Sequence, residues 1–135
     1  MKYLSNGTRK INFFSFKDLI QNIFWEDQYI LLINILSEKK FFLINEKIDF
    51  LLSPNCKEIY FIGPLAERLH DIFDEYIEDH GFFDVVTTYE NGNSIDDECF
   101  YFTKVAGGGN ILNMFVLTDN DEYIENKLKE YFISK

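Results

Sequence analysis

Carboxylates are the most conspicuous reactive groups in this sequence, and they are concentrated in one stretch. Residues 67–98 contain eleven acidic side chains and a single basic one, Arg68. The rest of the chain has twelve acids and twelve bases, so this stretch carries the whole formal charge of −10. A focused negative field costs stability through self-repulsion, and it attracts cationic groups. The pattern therefore predicts a surface that meets something positively charged.

Six of these acids recur on one side of a predicted helix over residues 65–80. At about 100° per residue, the apolar residues of this segment gather on one side and the acids on the other. The acids of this stripe are Glu67, Asp71, Asp74, Glu75, Glu78 and Asp79. Like charges three or four residues apart cost roughly 0.2–0.5 kcal/mol each at low salt. A contact surface for a basic partner is one interpretation of the stripe, and a solubilising surface helix is the other.

Asp96, Asp97 and Glu98 form a second acidic cluster. Acids in the first turn of a helix are favoured by the helix dipole, and Ser94 is a suitable N-cap, so a structural role is one interpretation. The two predicted helices flank the same strand in sequence. We therefore also expect these three acids to lie at the rim of the negative surface, with Tyr101 as an aromatic anchor.

Groups that serve catalysis or bind metals are isolated in the sequence. His70 and His80 show no metal-ligand spacing with a cysteine, and Cys56 and Cys99 are expected to be reduced, buried thiols. No Gly-x-Ser-x-Gly motif is present, and the glycine run at 107–109 precedes a predicted strand rather than opening a helix. We therefore predict a protein that is not an enzyme and has no cofactor and no metal site.

Alternating strand-like and helix-like periodicity predicts the elements that position these side chains. The predicted strands cover 29–36, 58–62, 84–90 and 111–117, and the predicted helices cover 15–24, 40–52, 65–80, 94–106 and 119–133. Such alternation is typical of a parallel sheet with helices on both faces. We expect a small three-layer α/β sandwich with four mostly parallel strands in the order 2-1-3-4. Residues 1–135 are expected to form a single domain, with the helix 15–24 as an addition.

Length and composition limit the classes of protein that remain. With 135 residues, 47% of them hydrophobic, the chain is long enough to bury a core without disulfides or metal. No apolar run has the length of a signal peptide or a membrane span, so we expect a cytoplasmic protein. A negative surface repels phosphates, which argues against direct binding to nucleic acid or to anionic lipid.

Part of the chain resembles an uncharacterised family of small bacterial domains. The resemblance extends from Asn55 to about Lys104, roughly a third of the chain. It is carried by Asn55-Cys56, a strand that ends at Gly63, an acid-rich helix with Glu67, His70-Asp71 and Asp74, then Val86-Thr87-Thr88-Tyr89 and a further acid-rich helix. Tyr89 stands where the family pattern has Trp. The resemblance implies no catalytic residues.

In physical character the chain is similar to the immunity proteins that neutralise bacterial toxins, because it is short, acidic and without catalytic motifs. This similarity implies a cytoplasmic inhibitor, either monomeric or in a heterodimer with a basic partner. Nuclease surfaces are positive because they hold phosphate backbones, so we expect a nuclease toxin domain, as in contact-dependent growth inhibition. Two alternatives stay open: a small metal-dependent enzyme with acids at strand ends, and a self-associating scaffold or sensor module that uses exposed Phe and Tyr.

Overall fold

The computed structural model of the chain describes residues 2–6, 9–18, 27–82, 84–89, 94–106, 113–119 and 122–133. Strands and helices alternate along most of these segments. The strands are β1 (Lys2–Asn6), β2 (Arg9–Phe14), β3 (Tyr29–Asn34), β4 (Cys56–Ile62), β5 (Val86–Tyr89) and β6 (Asn113–Thr118). The helices are α1 (Glu38–Glu46), α2 (Ile48–Leu51), α3 (Ala66–His80), α4 (Ile95–Lys104) and α5 (Glu122–Ile133).

The strands form one mixed sheet in the order β1-β2-β6-β3-β4-β5. All neighbouring pairs are parallel except β1 and β2, which run antiparallel with Asn6 opposite Arg9. The predicted α/β class is confirmed. The prediction of four strands is wrong, because β1 and β2 extend the sheet to six strands in the described part of the chain and make it partly antiparallel.

The strand β2 shows why the sequence pattern missed this extension. Ile11 and Phe13 are buried, whereas Lys10 is exposed and Asn12 is half-buried, so the alternation covers only a few residues. Its parallel partner β6 lies about a hundred residues away, with Lys10 paired to Asn113. Local periodicity carries no information about such a distant pairing. The predicted helix at 15–24 lies largely outside the described residues; at its start, Asp18 accepts a hydrogen bond from the Ser15 backbone amide at 2.8 Å.

The order of the four predicted strands also differs from the expectation. The segment 29–36 is inside the sheet, as predicted, but the observed order β6-β3-β4-β5 corresponds to 4-1-2-3 rather than 2-1-3-4. After β5, the chain returns through α4 on the opposite face of the sheet and adds β6 on the free side of β3. This reversal places β3 at the centre, and all six of its residues are buried.

Two hydrophobic cores lie on the two faces of the sheet. Leu31 and Ile33 of β3 belong to the core beneath α1, α2 and α3, whereas Ile30 and Leu32 belong to the core beneath α4 and α5. The side-chain alternation of a strand produces this division. Among the described helices, none combines the length and the apolar character that crossing a membrane requires.

The helix α3 carries six of the eleven acids of the stretch 67–98 and matches its predicted bounds closely. Its buried residues Ala66, Leu69, Phe73 and Ile77 recur at three and four positions, so the polar residues between them must face outwards. The helix ends at Gly81, whose left-handed backbone (φ 76°) lets its amide donate to the Ile77 carbonyl at 2.9 Å. The position of the helix thus follows from a strong local pattern.

Candidate functional site

The acids of α3 lie in two rows rather than in one stripe. Residues at successive spacings of four, three and four follow one line along a helix. This outer row consists of Glu67, Asp71, Asp74 and Glu78. Glu75 and Asp79, four residues apart, form the groove row, which lies on the side of α3 that faces α1 and α2. All of these acids except Asp74 are exposed.

Asp74 ties α3 to the edge strand of the sheet. The Thr87 hydroxyl on β5 donates to its carboxylate at 2.6 Å, and His70 Nε2 lies 3.3 Å from the other carboxylate oxygen. His70 Nε2 is also 3.2 Å from the Thr87 hydroxyl oxygen. Although it belongs to the predicted contact set, the Asp74 side chain is therefore already engaged within the fold.

The grouping of Thr87, His70 and acids is not a nucleophile–base–acid triad. In a triad, the hydroxyl meets one ring nitrogen and the orienting carboxylate meets the other. Here Thr87 and Asp74 both approach Nε2. Among the described residues, the one carboxylate within 4 Å of Nδ1 is that of Asp71 at 3.7 Å, beyond hydrogen-bond distance. The hydroxyl proton is directed to Asp74 rather than to the ring. The geometry favours a structural clamp.

A groove of about 530 Å³ separates α3 from α1 and α2. Its carboxylates come from both sides: Glu46 and Asp49 from α1 and α2, and Glu75 and Asp79 from α3. We call these four the groove quartet. The other lining residues are Asn45, Ile48, Ile72 and Tyr76. An apolar floor between acidic walls suits a ligand that is both cationic and partly apolar.

Within the described residues, no member of the groove quartet has a salt-bridge partner. Arg68, the one Lys or Arg of α3, pairs instead with Glu38 at the start of α1 and lies 4.3 Å from the centre of the Phe41 ring. It is absent from the groove lining. The single base of the acidic stretch therefore forms its ion pair with Glu38 rather than with a member of the groove quartet.

Glu46 and Asp49 were missed because they lie outside the acidic stretch, in a part of the chain whose charges cancel. The sequence predicted one helix over 40–52, whereas the backbone turns at Lys47 (φ −114°, ψ 14°) and separates α1 from α2. Only the placement of α1 and α2 beside α3 brings these two acids to the groove. The one sequence feature that could have identified Glu46 and Asp49 was their position on the polar side of the predicted helix.

The second acidic cluster is dispersed by the fold. Ser94 caps α4 by accepting a hydrogen bond from the Asp97 amide at 3.1 Å, as the sequence predicted, and Asp97 is exposed. Asp96 accepts a hydrogen bond from the Tyr123 hydroxyl on α5 at 2.7 Å. Glu98 is only 3% exposed, so it offers almost no surface to a docking partner.

Tyr101 lies on the α4 side of the sheet, away from α3. Its hydroxyl donates to Glu58 Oε1 at 3.2 Å, and its ring centre is 5.1 Å from that of Tyr60. Because α3 and α4 pack on opposite faces of the sheet, the structure does not bring Tyr101 to the outer or groove row. We therefore centre the candidate site on α3 and the groove quartet.

Both cysteines are free and buried, as predicted. Burial raises the pKa of the Cys56 thiol to about 12, so this thiol stays protonated at neutral pH and is a poor nucleophile. In the part of the chain that the structure describes, no three His, Cys, Asp or Glu side chains are grouped so that they could hold a metal ion.

Comparison with known proteins adds no family to this description. No protein-family model matches the chain, and no curated protein matches it at a significant level. The resemblance of residues 55–104 to a bacterial family therefore stays a prediction. The arrangement of charge on α3 and along the groove is the basis on which a function is inferred.

Proposed function

We propose that the chain is an immunity protein, an inhibitor that binds a cationic surface of a toxin through the acidic side of α3. The observation that carries this proposal is the set of exposed acids on α3, whose one cationic Lys or Arg is paired with Glu38. Like charges on one helix cost stability. A cationic partner offsets that cost, whereas bulk water only screens it.

A nuclease toxin domain is the partner class that fits this surface. A nuclease must present positive charge in order to hold the phosphate backbone of its substrate. An acidic helix competes for the same positive groups and blocks the substrate site. Complementary charge also speeds encounter, towards about 10⁸–10⁹ M⁻¹s⁻¹ at low salt. Fast capture suits an inhibitor that protects the cytoplasm of the cell that makes it.

The fold holds the α3 surface rigidly, and this rigidity favours a role in binding. Leu69 and Phe73 are 0% exposed beneath the helix, and the Thr87–Asp74 hydrogen bond fixes it to β5. A preorganised surface loses little conformational entropy on binding. The acids therefore form a fixed pattern of charge rather than a mobile tail.

The test begins with the gene that neighbours the one for this chain, which the proposal predicts to encode a nuclease toxin domain. We expect the purified chain to inhibit that nuclease, with an association rate that falls steeply as salt increases. A variant with Glu67→Gln, Asp71→Asn, Glu75→Gln and Glu78→Gln should bind at least about tenfold more slowly and keep its helical circular dichroism. Unchanged inhibition by this variant would show that the acids of α3 are only a solvated face.

A self-associating module is the second candidate, because several large apolar side chains are exposed. Phe42 on α1 is 58% exposed, and Phe100 on α4 is 48% exposed with its ring edge-on to Tyr131 at 5.7 Å. Exposed aromatic residues are enriched at protein interfaces. Sedimentation over a concentration series distinguishes this candidate, which requires a mass that rises with concentration.

A further inference from the structure

The two acidic rows of α3 differ in what surrounds them. In the outer row, Asp74 contacts Thr87 on β5, and Glu67, Asp71 and Glu78 are exposed. The groove row faces Glu46 and Asp49 across an open space of about 530 Å³. A cation in that space meets carboxylates from both sides of the groove at once, whereas the outer row belongs to one helix.

The floor of the groove adds an apolar requirement. Ile48 is buried, and Ile72 and Tyr76 are half-buried between the acidic walls. The Tyr76 ring is held in place because it stacks on His80 with 3.9 Å between ring centres and an interplanar angle of 15°. A solubilising helix has no need of such a floor. A fixed apolar floor beneath carboxylates is instead complementary to an amphipathic ligand.

We infer that this groove receives a single arginine-bearing amphipathic segment of the partner, with its guanidinium groups between the acidic walls and an apolar side chain on the floor. This inference rests on the function proposed above and specifies where and how the partner docks. The groove volume of about 530 Å³ lies in the range of pockets that hold small ligands, about 300–1,000 Å³, so it accommodates a few side chains. A short segment fits it better than the broad face of a domain.

Arginine, rather than lysine, matches the chemistry of this groove. The planar guanidinium donates two parallel hydrogen bonds to one carboxylate and stacks on aromatic rings. The lysine ammonium, in contrast, is a compact, strongly hydrated charge. The protein itself uses this arrangement between the same two helices. Arg68 of α3 pairs with Glu38 of α1 while lying over the Phe41 ring at 4.3 Å. The groove offers carboxylates beside the apolar side chains of Ile48 and Ile72 to an arginine from outside.

The experiment measures binding of a labelled amphipathic peptide, with arginines on one face and leucines on the other, to the full chain by fluorescence anisotropy. Two groove variants, Glu46→Gln with Asp49→Asn and Glu75→Gln with Asp79→Asn, should each weaken binding at least about tenfold. The matched control, Glu67→Gln with Glu78→Gln, removes the same charge from the outer row. It should weaken peptide binding clearly less than either groove variant does. Replacing the peptide arginines by lysines should also weaken binding.

Each outcome decides the inference. Equal weakening by groove and outer-row variants, or no peptide binding to the unmodified chain, overturns the groove as the docking site. Ile72→Ser leaves the charge of the groove quartet unchanged but makes its floor polar, so it should also weaken peptide binding. Unchanged binding by a folded Ile72→Ser chain contradicts the inferred contact between the floor and an apolar side chain of the ligand. Circular dichroism melting of every variant identifies any that fail to fold.

The same variants separate this inference from the proposed function when the neighbouring nuclease replaces the peptide. If the groove variants lose inhibition and the outer-row variant does not, the result supports both the proposed function and the groove as the docking site. Equal loss by groove and outer-row variants leaves the acidic surface as the inhibitor and rejects the groove. Inhibition that no variant changes rejects both proposals, because neither acidic row then contributes to binding.

Discussion

Neutralising a single acid of the groove row should stabilise the free protein. If the carboxylates are present to meet a cation, they must repel one another when that cation is absent. Glu75 has like-charged neighbours at Asp71, Glu78 and Asp79, at distances of three or four residues along α3. It lies in the middle of the helix, so the helix dipole affects it little. Glu75→Gln keeps the size and helix propensity of the side chain while removing its charge.

The expected magnitude follows from the number of repulsive pairs. Three pairs at roughly 0.2–0.5 kcal/mol each give a rise of about 0.6–1.5 kcal/mol in the free energy of unfolding at low salt. Screening shortens the reach of these interactions to about 3 Å at 1 M salt, so the gain should largely disappear there. Repulsion across the groove from Glu46 and Asp49 adds to the same trend.

Urea unfolding followed by circular dichroism, at low and at high salt, measures this change. The matched control is Glu125→Gln on α5, which removes a carboxylate that pairs with Lys129 at 3.0 Å and should therefore lower stability. A Glu75→Gln chain that is less stable than the unmodified protein, or whose gain is the same at both salt concentrations, would refute the view that this surface is under electrostatic strain.

Three further predictions concern the parts of the fold that hold the site. Thr87→Val removes the hydroxyl that donates a hydrogen bond to Asp74. Because the Asp74 side chain is 42% exposed and can bind water instead, the free energy of unfolding in urea should fall by only about 1 kcal/mol. Gly63→Ala should lower the free energy of unfolding by at least about 2 kcal/mol in the same assay, since φ is +89° and the new Cβ would clash with Asn34 Oδ1; an unchanged midpoint would contradict this. Burial raises the Cys56 pKa from 9.0 to about 12, so the protonated thiol stabilises the fold below pH 9 and this contribution is lost as pH rises from 9 towards 12. Alkylation of Cys56 at pH 8 should accordingly be slow until denaturant is added.

Elements with strong local patterns were predicted closely. The helix predicted at 65–80 is observed at Ala66–His80, because its apolar spacing and the glycine that ends it are both local features. The buried strand predicted at 29–36 is observed at Tyr29–Asn34 for a similar reason, since a continuous apolar run marks a strand covered on both faces. The N-cap at Ser94 was also visible in the sequence.

Features that depend on distant partners were not predicted. β2 takes its place in the sheet from β6, and the strand order follows from the reversal of the chain after β5. The burial of Glu98 depends on how α4 packs, and Asp96 reaches α5 through Tyr123. A helical pattern shows which residues share a side of one helix, but it does not show which neighbour that side will meet.

The sequence by itself determined that this chain is an α/β protein with a strongly acidic third helix, because charge content and hydrophobic period are set by residues close together along the chain. Only the tertiary structure divided those acids into an outer row and a groove row. It also brought Glu46 and Asp49 opposite Glu75 and Asp79. The physical reason is that a groove exists only between neighbouring elements. The core that α1, α2 and α3 share decides how these helices lie beside one another.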